Sequence, residues 1–215
     1  NTIHYIRDLG LVGCEVLEFV KNSQPKAYQN WLTQFGEDAD EKLLKRLSTE
    51  IQKNGVIETL RKGIRVRGVY LDMVYFEPKS GLNPEHKSKF EKNRFVSVRQ
   101  LHYSNKNENS IDLVLFLNGI PIITMELKNQ LTGQNIKNSE NQYKYDRDPR
   151  EPLLQFKRCL VHFCVDNDEV WNEYVKSGAI KGFSIEGYFT DGKRELSEQT
   201  EDEKLIEKIK ERLSK

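Results

Sequence analysis

Residues 110–129, SIDLVLFLNGIPIITMELKN, constrain the fold more than any other part of the chain. Two apolar runs flank Asn118-Gly119, a dipeptide suited to a tight hairpin turn. Three charges, Asp112, Glu126 and Lys128, are set into these runs. An ion taken out of water is costly unless it is paired or binds a metal, so charges in strands this apolar need a reason to be there. Two carboxylates and a lysine gathered on one sheet make a metal site beside a positive charge, an arrangement suited to phosphodiester hydrolysis.

Side chains alternate faces along a strand, so Glu126 and Lys128 leave the same face. Whether Asp112 joins them depends on the turn. A two-residue loop at Asn118-Gly119 pairs Leu117 with Ile120 and Asp112 with Met125, which puts Asp112 on the wrong face. A three-residue loop, Leu117 to Gly119, pairs Phe116 with Ile120 and sets Asp112 opposite Thr124, diagonal to Glu126. The expectation is therefore the three-residue loop or some other odd offset. A regular two-residue hairpin with the carboxylates on opposite faces would end the metal-site reading. By itself the spacing is weak, and the competing reading makes Glu126 and Lys128 edge-strand surface charges.

The rest of the 215-residue chain sets the context. It is 37% hydrophobic and 31% charged, which fits a water-soluble domain with one sizeable core or a core plus a small appendage. No apolar run approaches the roughly 18 residues of a membrane span, the start has no signal-peptide pattern, and no membrane association is expected. The first residue is Asn1 rather than Met, which suggests processing or excision from something longer. Three cysteines, Cys14, Cys159 and Cys164, are too few and too scattered for a disulfide scaffold or a zinc site, and point to a reducing, cytoplasmic compartment. The four histidines form no ligand pair. Charge is unevenly spread: residues 61–158 hold 18 Lys and Arg against 11 Asp and Glu, and the remainder 16 against 22. Bunched positive charge beside a metal site suits a polyanionic substrate, although a solvated surface accounts equally well for any one of these side chains.

Apolar spacing divides the chain into a helical segment over 1–60, a core over 61–165 and a tail over 166–215. Leu11, Val12, Val16, Leu17 and Val20 recur at helical intervals, as do Leu43, Leu44, Leu47 and Ile51. Residues 64–76 alternate like a strand, 94–103 form a second, and the hairpin follows. A helix is expected over 134–148, ended by Pro149 and Pro152. A strand over 159–165, a helix over 168–176, a strand over 182–189 and a charged amphipathic helix from Ser197 complete the reading. The order predicts an α/β fold, a mixed central β-sheet flanked by helices.

From about Ser23 to His162 the chain resembles the amino-terminal nuclease region of the R (restriction) subunit of type I restriction-modification enzymes. The likeness is carried by Ser23-Gln-Pro-Lys26, Arg99 to Ser104, the whole 110–129 hairpin, Leu131 to Gln134, Gln142-Tyr-Lys144, Asp146 to Leu153 and Phe156 to His162. Such domains belong to the PD-(D/E)xK nuclease superfamily, so the resemblance implies a restriction-endonuclease-like core and cleavage of double-stranded DNA. Asp112 matches the motif aspartate, preceded by Ile111 rather than Pro, and Glu126 and Lys128 match the second half. The resemblance implies that Asp112, Glu126 and the Leu127 carbonyl hold Mg²⁺, with Mn²⁺ as a substitute, while Lys128 orients water or steadies the phosphate. Gln142 stands where relatives begin a Gln-x-x-x-Tyr motif, but Asp146 holds the Tyr position and Tyr145 comes one residue early. Gln142 and Tyr145 are thus candidates for DNA-backbone or supporting contacts. Glu50 and Glu58 are candidates for a further acidic ligand.

Relatives also imply modification and specificity subunits as partners and an ATP-driven motor further along. No G-x-x-x-x-G-K-[ST] phosphate loop occurs here, so ATP binding is not expected of this chain. After Val165 the likeness gives way to one with phage capsid-maturation serine proteases over 166–189, in which Ser184 would be the nucleophile and His162 a poor base. Three readings follow: a Mg²⁺-dependent endonuclease domain, a non-catalytic DNA-binding and assembly module, and a protease remnant.

Overall fold

The computed structural model describes residues 4–78, 83–127 and 147–165 with their side chains, and the backbone of two further strands at 170–176 and 179–184. The amino-terminal segment opens with a two-stranded ribbon, β1 (Tyr5–Ile6) and β2 (Leu11–Val12), where only helix was expected. Four helices follow: α1 (Gly13–Ser23), α2 (Pro25–Phe35), α3 (Ala39–Asn54) and α4 (Val56–Lys62). Pro25 opens α2, where its missing N–H costs nothing. In α3 the residues Leu43, Leu44, Leu47 and Ile51 bury one stripe, as their spacing predicts.

The long strand expected over 64–76 is instead a short hairpin of β3 (Ile64–Val66) and β4 (Val69–Leu71), turned at Arg67-Gly68. Beyond it, Asp72 to Pro78 run without regular structure. After α5 (Pro84–Phe90), capped by the Asn83 side chain, come β5 (Phe95–His102), β6 (Ser110–Leu117) and β7 (Ile120–Leu127). Then β8 (Val161–Val165), β9 (Val170–Lys176) and β10 (Ala179–Ser184) complete a six-stranded sheet in the order β10-β9-β8-β7-β6-β5. Only β7 and β8 run parallel, so the sheet is mixed, as expected.

Residues 168–176, expected to be helical, contain β9. Val170, Trp171, Tyr174 and Val175 can be read at helical spacing, but β-branched and aromatic residues favour a pleated strand beside a ready edge. The helix expected over 134–148 and the one from Ser197 lie outside the described residues, apart from Arg147 and Asp148, which are not helical.

One large apolar cluster joins α1, α3 and α4 to Leu113, Leu115, Leu117, Ile123 and Met125 on one face of the sheet. The other face, with Val114, Phe116 and Cys164, packs against Val12, Tyr103, Leu153 and Leu154. β7 is buried along seven of its eight residues, which fits its largely apolar sequence. Among the described residues no helix is long and apolar enough to cross a membrane.

Candidate active site

The loop between β6 and β7 has two residues, not three. Leu117 pairs with Ile120 across Asn118 and Gly119, whose φ angles of 51° and 77° suit the primed hairpin turn. The expected offset is still supplied, by a β-bulge. Phe116 pairs with Pro121, but Leu115 pairs with Ile123, so Ile122 is the extra residue. Proline has no N–H to give to a ladder, which makes Pro121 a natural neighbour for a bulge.

Past the bulge the ladder runs Val114–Thr124 and Leu113–Met125, and its continuation brings Asp112 level with Glu126. The two carboxylates therefore leave the same face, shared with Val114 and Thr124. That face also receives Cys164, which pairs with Glu126, and His162, which pairs with Thr124.

Each carboxylate is held by identifiable donors. Asp112, partly exposed, accepts the Gln100 side-chain amide on Oδ1 at 2.8 Å and the Leu127 N–H on Oδ2 at 2.8 Å. Gln100 lies in β5 level with Asp112, and its φ of 48° is a left-handed conformation rare for such a residue within a strand. Its amide oxygen also accepts Ser110 Oγ at 3.1 Å. Glu126 is only 3% exposed and forms a buried ion pair with Arg147, which donates to Oε1. Arg147 donates further to the Ser110 carbonyl at 3.0 Å and to the Tyr103 hydroxyl at 2.9 Å.

Of the expected site residues, Asp112 and Glu126 share one sheet face, and Leu127 meets Asp112 through its N–H rather than the expected carbonyl. Lys128, Gln142 and Tyr145 lie outside the described residues. Glu50 and Glu58 do not join: they line a separate surface cleft with Lys62 and Arg65, on helices packed against the opposite face of the sheet. Glu50 is paired with Arg46 and Glu58 with Lys62. Among the described residues no group of three or more His, Cys, Asp or Glu side chains converges to hold a metal. The Asp112 and Glu126 carboxylates are hard oxygen donors on one face, the chemistry that suits a divalent ion such as Mg²⁺, which keeps several waters of its own.

Sequence reasoning missed Gln100 and Arg147. Nothing in the spacing pointed to Gln100, whose role comes from cross-strand register. Arg147 belongs to the basic excess over residues 61–158, read as suiting a polyanion, and sits in the Asp146–Leu153 stretch that carries the family resemblance.

His162 adds an electrostatic marker. Its Nδ1 lies 2.6 Å from Thr124 Oγ1, and burial, then Arg147, pushes its pKa down to about 4. It is thus neutral in the fold at neutral pH. Between about pH 4 and 6.5 the unfolded chain binds a proton the folded chain refuses, so this residue makes stability fall as pH drops through that window. The expected loss is about 2 kcal/mol at pH 5 relative to pH 8. Urea denaturation at both pH values should show His162→Gln losing correspondingly less than the wild type. Equal losses would mean the imidazole is not held neutral. The same residue bears on the protease reading: its Nδ1 faces Thr124, and β10, which carries Ser184, lies two strands from β8.

No curated protein and no solved structure gives a significant match to the chain. A family model does match, over residues 20–179, and thus runs past Val165, where the likeness was expected to stop. The family is described as the type I restriction enzyme R protein N terminus, and the match covers α2 to α5, the hairpin with Asp112 and Glu126, and the sheet as far as the start of β10. On that match the chain belongs to the family of amino-terminal domains of type I restriction enzyme R proteins.

Proposed function

We propose that this chain is a Mg²⁺-dependent DNA endonuclease domain, hydrolysing phosphodiester bonds of double-stranded DNA within a type I restriction enzyme. The observation that carries the reading is the bulged hairpin, which brings Asp112 and Glu126 level on one sheet face inside a domain of that family. Asp112, Glu126 and the Leu127 carbonyl would hold the ion, with Mn²⁺ as a workable substitute. When bound, the ion supplies Lewis acidity and charge neutralisation beside the scissile phosphate.

The chain's own residues would do the rest. Asp112 and Glu126 present their carboxylates from adjacent strands, and the Gln100 and Leu127 donors keep Asp112 from turning away. Lys128, two residues beyond Glu126, would lend its ammonium to the attacking water or to a phosphate oxygen. Gln142 and Tyr145 would contact the DNA backbone. Excess Lys and Arg over residues 61–158 would attract the duplex, with a salt dependence that reports the phosphates engaged. Sequence recognition and ATP-driven translocation would come from elsewhere in a holoenzyme that includes modification and specificity subunits.

The test is nicking of supercoiled plasmid by the purified chain with Mg²⁺, Mn²⁺ or EDTA, alongside Lys128→Ala. Expected is cutting that requires the ion and falls at least ~100-fold in the variant. Cutting unaffected by EDTA or by the substitution would sink the assignment. No cutting by the wild type, with DNA binding that weakens in salt, would favour a binding and assembly module.

A further inference from the structure

We propose that Arg147 is the positioning residue of this site, holding the Glu126 carboxylate in place beside Asp112 whether or not a cation is present. The inference rests on reading Asp112 and Glu126 as metal ligands. Its own support is the way Arg147 is built in. The guanidinium is buried, donates to Glu126 Oε1, and is fixed from two other sides by the Ser110 carbonyl and the Tyr103 hydroxyl. Its carbon lies 5.4 Å from the centroid of the Tyr103 ring, within cation–π range.

The backbone on either side is fastened to the same place. Asp148 pairs with Lys106, and Glu151 accepts Ser104 Oγ at 2.8 Å. Residues 147–151 are thus stitched to residues 103–106 at three points. An arginine held this way is not a swinging latch that must leave Glu126 when a cation arrives. It orients one ligand from behind, as supporting partners do in metal sites, where their loss typically weakens binding 10–100-fold.

The experiment is calorimetric titration of Mn²⁺ into the full chain at one fixed pH, with melting temperatures recorded for each variant. Arg147→Met should weaken Mn²⁺ binding by about tenfold or more. Arg147→Lys, which keeps the charge but loses the planar fork, should recover part of that loss. If Arg147→Met does not fold, Tyr103→Phe decides. It removes one anchor of the guanidinium, keeps the ring, and should weaken binding by roughly a few-fold. Tighter Mn²⁺ binding in any of these variants would make Arg147 a competitor and overturn the proposal. A lower melting temperature with unchanged affinity would reduce it to a structural ion pair, also overturning it. Wild-type binding that Asp112→Ala abolishes and the Arg147 and Tyr103 variants leave intact would sink this inference alone. No Mn²⁺ binding by the wild type would take the metal site down with it.

Discussion

Asp112→Ala and Glu126→Ala are expected to lower metal-dependent cutting by at least ~100-fold each, on the order of 3 kcal/mol of transition-state stabilisation, yet to differ sharply in stability. Asp112 lies at the partly exposed end of the ladder, and its two donors, the Gln100 amide and the Leu127 N–H, stand close to water. Removing its carboxylate leaves donors that solvent can satisfy, at a cost of about 1 kcal/mol. Glu126 is the opposite case. It is buried opposite a buried Arg147, and deleting it strands a guanidinium among Tyr103, Ser110 and the strand face. Breaking a buried pair from one side costs about 3–5 kcal/mol, because the remaining guanidinium loses a desolvated carboxylate. Glu126→Gln keeps an acceptor for Arg147 and should fall between. Nicking rates paired with urea midpoints for the three variants check this. Equal stability losses for Asp112→Ala and Glu126→Ala would show that the ion pair is not buried as described.

That Asp112 and Glu126 share one sheet face was open to sequence reasoning, because charges in apolar strands call for an explanation. The way they meet was harder to read. The odd offset was necessary for the site, but the three-residue loop was the wrong device. Asn118-Gly119 is the strongest short signal for a two-residue primed turn, and Pro121 just beyond it is a reason for the ladder to slip. Together those residues imply a regular turn followed by a bulge, which meets the same parity requirement. β9 shows a different limit: a short segment carrying Val170, Trp171, Tyr174 and Val175 fits two periods, and the edge of β8 that it pairs with decides the outcome. Gln100 and Arg147 were not legible because each acts on a carboxylate distant in the chain, through cross-strand register in one case and a stitched loop in the other.

The turn that sets this register is also a place where a single methyl group should do large damage. Gly119→Ala is expected to destabilise the fold by about 2–4 kcal/mol, a fall of roughly 10 °C in melting temperature for a chain of this size. Two costs combine. At φ 77° an L-residue pays about 1 kcal/mol or more in backbone energy. The added Cβ would also stand 2.4 Å from the Val12 carbonyl oxygen and 2.7 Å from the Val16 nitrogen, and these are backbone atoms at the start of α1 that cannot swing aside. Forcing them apart would disturb the 2.9 Å hydrogen bond from the Val12 N–H to the Gly119 carbonyl, and overpacking of this kind costs about 1–3 kcal/mol. Gly68 separates the two terms. It has nearly the same conformation, φ 82°, in the β3–β4 turn, but nothing lies within 4 Å of where its Cβ would be. Gly68→Ala should therefore lose only the backbone share, about 1 kcal/mol. Thermal melts of the two variants side by side decide the matter: a clear gap places the cost in the contact between hairpin and helix, and matching losses would mean that α1 yields to the turn.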